Sequence, residues 1–201
     1  MTPETEFRDA VARLHRVKDA AYRDAWKRRG EVISILANIA RKVDRLENGL
    51  GGAPAVPDES WVDTAADLLV YCLKYQAYLA DADAGAADRL FGGTGASPPY
   101  SDGPAGFEAL LWRADLGPID GTSQRATEAA ARVVSRFGEM EACFRDVTSV
   151  RPVPDRLGRL LALTDAAAAL VWALRREHPR VYAGFIDSCR TIGEGGAADA
   201  R

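Results

Sequence analysis

Residues 58–79, DESWVDTAADLLVYCLKYQAYL, carry the strongest periodic signal in the chain. Trp61, Val62, Ala65, Leu68, Leu69, Cys72 and Leu73 recur at helical spacing, so the segment predicts one long helix with Asp58 as its cap. On the other side Glu59, Asp63 and Asp67 stand at i, i+4 and i+8, within about 80° of arc. Like charges at that spacing cost an isolated helix roughly 0.2–0.5 kcal/mol per pair. The helix dipole offsets part of this for Glu59 and Asp63, but Asp67 lies too far inside to benefit. A divalent cation or a set of arginines would supply the remainder; a solvated acidic face is the plain alternative.

The preceding segment, AYRDAWKRRGEVISILANIARKVDRLENG, predicts a second helix that bends near Gly30 and stops at Asn48-Gly49. Its apolar stripe is Val32, Ile33, Leu36, Ile39, Val43 and Leu46. Measured from Glu31, residues Asn38, Lys42 and Arg45 come round within about 40° of it. The linker GLGGAPAVP at 49–57 is short, which predicts antiparallel neighbours with the Glu31–Arg45 stripe facing the Glu59–Asp67 stripe. An ordinary helix surface with internal ion pairs would show the same stripe. Before it, Thr2 caps a first helix with Pro3 at its first position and Phe7, Val11, Leu14 and Val17 as the apolar stripe. His15 sits beside that stripe as a surface or boundary residue.

Beyond Leu79 the chain turns small and acidic, and 90–106 is dense in Gly, Pro and Ser, as in a long flexible loop or lid. Its GGTGAS run lacks a preceding strand and the Gly-Lys-Ser/Thr ending of a phosphate loop. Helices are expected at 107–113, 123–145, 155–177 and 180–192, before a disordered tail. The fold class is all-α: an antiparallel bundle of about five to seven helices in one compact domain. An N-terminal half (1–80) carries the acidic site, 81–122 links or lids it, and a C-terminal half (123–192) packs on the first. Val-Pro-Asp at 56–58 recurs at 153–155, each before a helix, a faint echo of a duplicated helix pair.

Composition agrees. The 201 residues are 47% hydrophobic and 27% charged, enough for one sizeable core. Cys72, Cys143 and Cys189 are odd in number and lack CxxC spacing, which argues against a disulfide framework or a zinc site. No leader is legible at the N-terminus and the longest apolar run, Leu160–Leu174, is interrupted by Asp165, so a reducing cytoplasm without membrane is expected. Net charge is −3 but uneven: Lys and Arg against Asp and Glu count 11 to 8 over 1–50, 3 to 11 over 51–122, and 12 to 10 over 123–201. The basic and acidic segments can pair with each other or hold a metal–phosphate complex. Overall acidity, with no basic stripe interleaved with aromatics, argues against nucleic acid. With only His15 and His178, HExxH and Ser–His–Asp chemistry are set aside.

The pattern Tyr22-x-Asp24-x-Trp26, Arg29, Lys42-x-x-Arg45, Glu59-Ser60-x-x-Asp63-Thr64-x-x-Asp67-Leu68-x-x-Tyr71 resembles the nucleotide modification associated domain family over roughly residues 15–80. That pattern is in turn similar to the all-α MazG-like and dimeric dUTPase-like nucleoside triphosphate pyrophosphohydrolases. The resemblance implies magnesium held by Glu59 and Asp63, with Asp67 one turn on and Glu31 from the first helix. Ser34 stands where those enzymes carry a second acid, and Asp63 follows Glu59 by four residues rather than three.

Physical chemistry assigns the remaining roles. Magnesium takes one or two carboxylates plus substrate phosphates. Lys42 and Arg45 would neutralise phosphate charge, Glu31 or Asp67 would orient the attacking water, and Trp26 or Tyr22 would stack on a base, with Asn38 and Arg29 completing the substrate contacts. Trp26 and Tyr22 serve equally well as core at a helix junction. The expected function is therefore magnesium-dependent binding of a nucleoside triphosphate or modified deoxynucleotide, with hydrolysis to monophosphate and pyrophosphate. The alternative is a non-catalytic helical interaction module of a nucleotide-modification or defence system. Enzymes of this kind associate as dimers or tetramers, so a homo-oligomer is expected unless the C-terminal helices complete the bundle within one chain.

Overall fold

The computed structural model describes residues 2–51, 60–116, 124–146 and 149–192, and they are all-α, with no strand among them. Eight α-helices follow in order: α1 (Pro3–Tyr22), α2 (Ala37–Leu50), α3 (Trp61–Ala82), α4 (Ala84–Phe91), α5 (Pro104–Arg113), α6 (Ala126–Glu141), α7 (Val153–Glu177) and α8 (Pro179–Thr191). Helices α2, α3, α7 and α6 pack in a closed ring, a four-helix bundle completed inside one chain. Outside it, α1 rests on α5 and α8, while α4 and α5 cover α3.

Each start has a local cause. Thr2 accepts the Thr5 amide at 3.2 Å and Pro3 opens α1. Ser60, not Asp58, caps α3: its hydroxyl accepts the Asp63 amide at 3.2 Å while the Ser60 amide donates to the Asp63 carboxylate at 3.1 Å. That reciprocal box uses Asp63 as a capping acid. Asp58, Glu59, most of the 49–57 linker and the 193–201 tail lie outside the described residues. At the close of α2, Gly49 lets the α3 start come near, since a Cβ there would stand 2.6 Å from the Trp61 ring.

The expected break near Gly30 is present, but the backbone on either side of it leaves the regular α-helix. A 3₁₀ turn at Arg23–Trp26 is followed by Gly30 at φ 83°, and a π-helical turn at Glu31–Leu36 leads into α2. The wider turn rotates the face, so Val32 and Ile33, expected inside, are 55% and 67% exposed, and the buried stripe begins at Ile35. In α1 the buried line runs through Phe7, Val11 and His15 instead of Val17.

The 90–106 segment, irregular over 92–103, is tethered by hydrogen bonds. Helix α4 enters it, and Asp81 accepts the Tyr100 and Ser101 amides at 2.6 and 2.9 Å. Lys27 reaches Ser101 Oγ at 2.6 Å and pairs with Asp102, while Tyr100 stacks on Phe91 with centroids 4.1 Å apart. Helix α7 is the one described helix long and apolar enough, by length and composition, to cross a membrane. In this fold it lies in the ring, and most of that apolar stretch is buried against α3 and α6.

Candidate functional site: a basic cavity between α1, α2 and α3

Two clusters of charge join the α2 side to α3, and they differ in kind. At the first, Glu31 accepts from the Tyr75 hydroxyl and pairs with Arg156 of α7. Both charged side chains are nearly out of solvent, at 17% and 11% exposure. Burial and the Glu31 carboxylate push the Tyr75 phenol far up, so it stays a proton donor. Arg156 also lies over the Phe144 ring at 5.7 Å. This cluster ties α3 and α7 of the bundle to the turn that leads into α2.

At the second, Asp67 receives Lys42 of α2 at 3.0 Å and Lys18 of α1 at 3.1 Å. Burial pushes its carboxyl up, but the two lysines more than reverse this and hold it below the ordinary range. Eight residues separate Asp67 from Tyr75, a rise of about 12 Å, so Glu31 and Asp67 serve different ends of the interface. The expected facing of the two stripes is present at Lys42 opposite Asp67, while Glu31 meets Tyr75, about two turns beyond the acidic stripe.

Around Asp67 opens a cavity of about 510 Å³. Six lysines and arginines line it: Lys18 from α1, Arg23 from the 3₁₀ turn, Arg41, Lys42 and Arg45 from α2, and Lys74 from α3. Among the described lining residues the one carboxylate is that of Asp67. Tyr22, Trp26, Tyr71 and Asn38 add aromatic and amide surface. Tyr22 is 67% exposed at the rim, while Trp26 is buried with the Lys74 ammonium 4.5 Å from its ring centroid. Half-buried Lys74 has no carboxylate in ion-pair distance among the described residues. Burial first, then Lys18 and Lys27, bring it down to about 8, with Asp19 opposing. Arg23 is the only described non-glycine residue at positive φ, 48°, a backbone position that is strained for a side chain.

His15 forms part of the wall. Expected at the surface, it is 3% exposed and stacks on Phe107 at 3.9 Å, with neither ring nitrogen hydrogen-bonded within the protein. Burial, then Lys74, Arg16 and Lys18, lower it to about 3, so the imidazole is neutral at physiological pH.

Of the residues the sequence singled out, Tyr22, Trp26, Asn38, Lys42, Arg45 and Asp67 share this cavity. Arg29 lies outside it, beside Ser34 on a smaller cleft. Glu31 is occupied by Arg156 and Tyr75, Asp63 caps α3, and Glu59 is outside the described residues. No group of three acids, histidines or cysteines suited to a metal ion occurs among the described residues. Of the expected magnesium ligands, Glu31, Asp63 and Asp67 each have protein partners and lie at three different places. Lys18, Arg23, Arg41 and Lys74 were missed. For three of them the signal in the sequence is helical spacing to residues already singled out, Lys18 to Tyr22, Arg41 to Arg45, and Lys74 to Asp67 and Tyr71.

Comparison with family models, with curated proteins and with solved structures finds no match, so the site is read from its own geometry.

Proposed function

We propose that this protein binds a nucleotide in the cavity between α1, α2 and α3, with the phosphates on its lysines and arginines and the base against Tyr22 and Tyr71. The observation that carries this is the convergence of six cations on one cavity of about 510 Å³, in a chain whose overall charge is negative. Concentrating like charge is costly in the absence of a partner, and an anion is the partner that relieves it. Guanidinium and ammonium groups supply charge-assisted hydrogen bonds to phosphate oxygens. The volume falls within the range of small-molecule sites, and the aromatic rim offers a face to a planar base.

Binding is supported better than hydrolysis. A pyrophosphohydrolase needs a carboxylate free to hold metal or orient water, and Glu31, Asp63 and Asp67 are each engaged by protein groups. The chain then acts as a nucleotide-binding helical module. Thermal melting with nucleoside mono-, di- and triphosphates tests this, paired with a phosphate and pyrophosphate release assay. A ligand at about 100 times its dissociation constant adds roughly 2.7 kcal/mol, and a stabilising shift without turnover is the expected result. Turnover abolished by Asp67→Asn would restore the hydrolase, and no shift with any nucleotide would remove the ligand class.

A further inference from the structure

We infer that the cavity takes its polyphosphate free of metal, with Asp67 acting as an internal counter-anion that magnesium does not displace. This rests on the anion-binding reading above and narrows it to the uncomplexed polyanion.

The ion pairs carry the inference. Proteins usually anchor a magnesium–phosphate complex through one or two carboxylates, and the one carboxylate among the described lining residues is held on both sides, by Lys18 at 3.1 Å and Lys42 at 3.0 Å. To reach it, a magnesium ion would have to break two ion pairs at a wall that Lys18, Arg23, Arg41, Lys42 and Lys74 make basic. The same wall attracts a bare polyphosphate, whose charge magnesium would otherwise cut by two. Lys74 strengthens the case: its ammonium leans on the Trp26 ring and meets no carboxylate among the described residues, so an incoming phosphate oxygen is a natural partner. Asp67 keeps Lys18 and Lys42 on either side of itself, and so competes with the ligand for both.

Inorganic tripolyphosphate, which has the anion without a base, separates the outcomes. The full chain is titrated calorimetrically in EDTA and in excess magnesium chloride, at matched ionic strength. Binding in EDTA that weakens about tenfold or more with magnesium is expected, because chelation removes charge the cavity recognises. In EDTA, Asp67→Asn should bind tripolyphosphate more tightly, having released two lysines. Binding that is unchanged or improved by magnesium overturns the metal-free inference and leaves the anion cavity standing. No binding in either condition overturns the cavity's phosphate reading as well. The wild-type titrations decide the matter even if Asp67→Asn folds poorly.

Discussion

The two charge clusters on the α2–α3 interface use similar residues to opposite ends. The Glu31 end is closed: one carboxylate takes both a guanidinium and a phenol with little solvent between them, although the Arg156 Nε is left without a hydrogen-bond partner among the described residues. The Asp67 end is open: one carboxylate is shared by two lysines, and four more cations surround the cavity beyond it. An acid in a bundle therefore marks structure when its charges balance locally. A cavity where they do not balance is the better mark of a ligand.

The largest expected effect is at the closed end. Glu31→Ala strands a nearly buried Arg156 and should lower stability by about 3–5 kcal/mol, read from urea denaturation. Tripolyphosphate affinity of the folded fraction should be unchanged; a loss of affinity would merge the two ends into one site.

Acidification probes the His15 wall of the open end. The folded-state value of His15, about 3, lies below the unfolded 6.5, so the unfolded state takes up the proton first. Stability is then full above about pH 6.5 and falls as pH drops towards 3, by about 2 kcal/mol at pH 5. Urea midpoints at pH 7 and 5 check it. His15→Leu should flatten the slope, and an unchanged slope would place the titration elsewhere.

The smallest effect sharpens the open end. Lys74→Met removes a half-buried charge and should raise stability by about 1 kcal/mol while weakening tripolyphosphate binding. A variant that loses both stability and affinity would make Lys74 a packing residue. In the wild type, affinity should also decline as pH rises through about 8, where Lys74 loses its proton.

Much of the architecture was legible. Apolar residues at 3.6 spacing placed α3, α6 and α7 close to their observed spans, and the short 49–57 linker implied the antiparallel facing that the Lys42–Asp67 pair displays. The charge asymmetry also proved informative, since Lys18, Lys27, Lys42 and Arg16 of the basic segment pair with Asp67, Asp102 and Glu108 of the acidic one. The errors cluster where the backbone leaves the regular helix. A π-helical turn turned Val32 and Ile33 outwards, and a capping box claimed Asp63. The 90–106 loop looked free because its tethers, Asp81 and Lys27, lie far away in sequence.

By itself the sequence determined that the chain is helical, which faces of α3 and α6 are apolar, and that Lys42 of the 31–45 stripe comes to face Asp67 of the 59–67 stripe. Periodicity and linker length are local properties, and local properties suffice for these. Only the tertiary structure decided which acids remain available. An ion pair depends on register between helices and on a third element, here Arg156 from α7 and Lys18 from α1, and neither is encoded in the spacing of the acids. The cavity arises in the same way: α1, the Arg23–Trp26 turn, α2 and α3 each contribute one or a few cations, and packing those elements together sums them into one field.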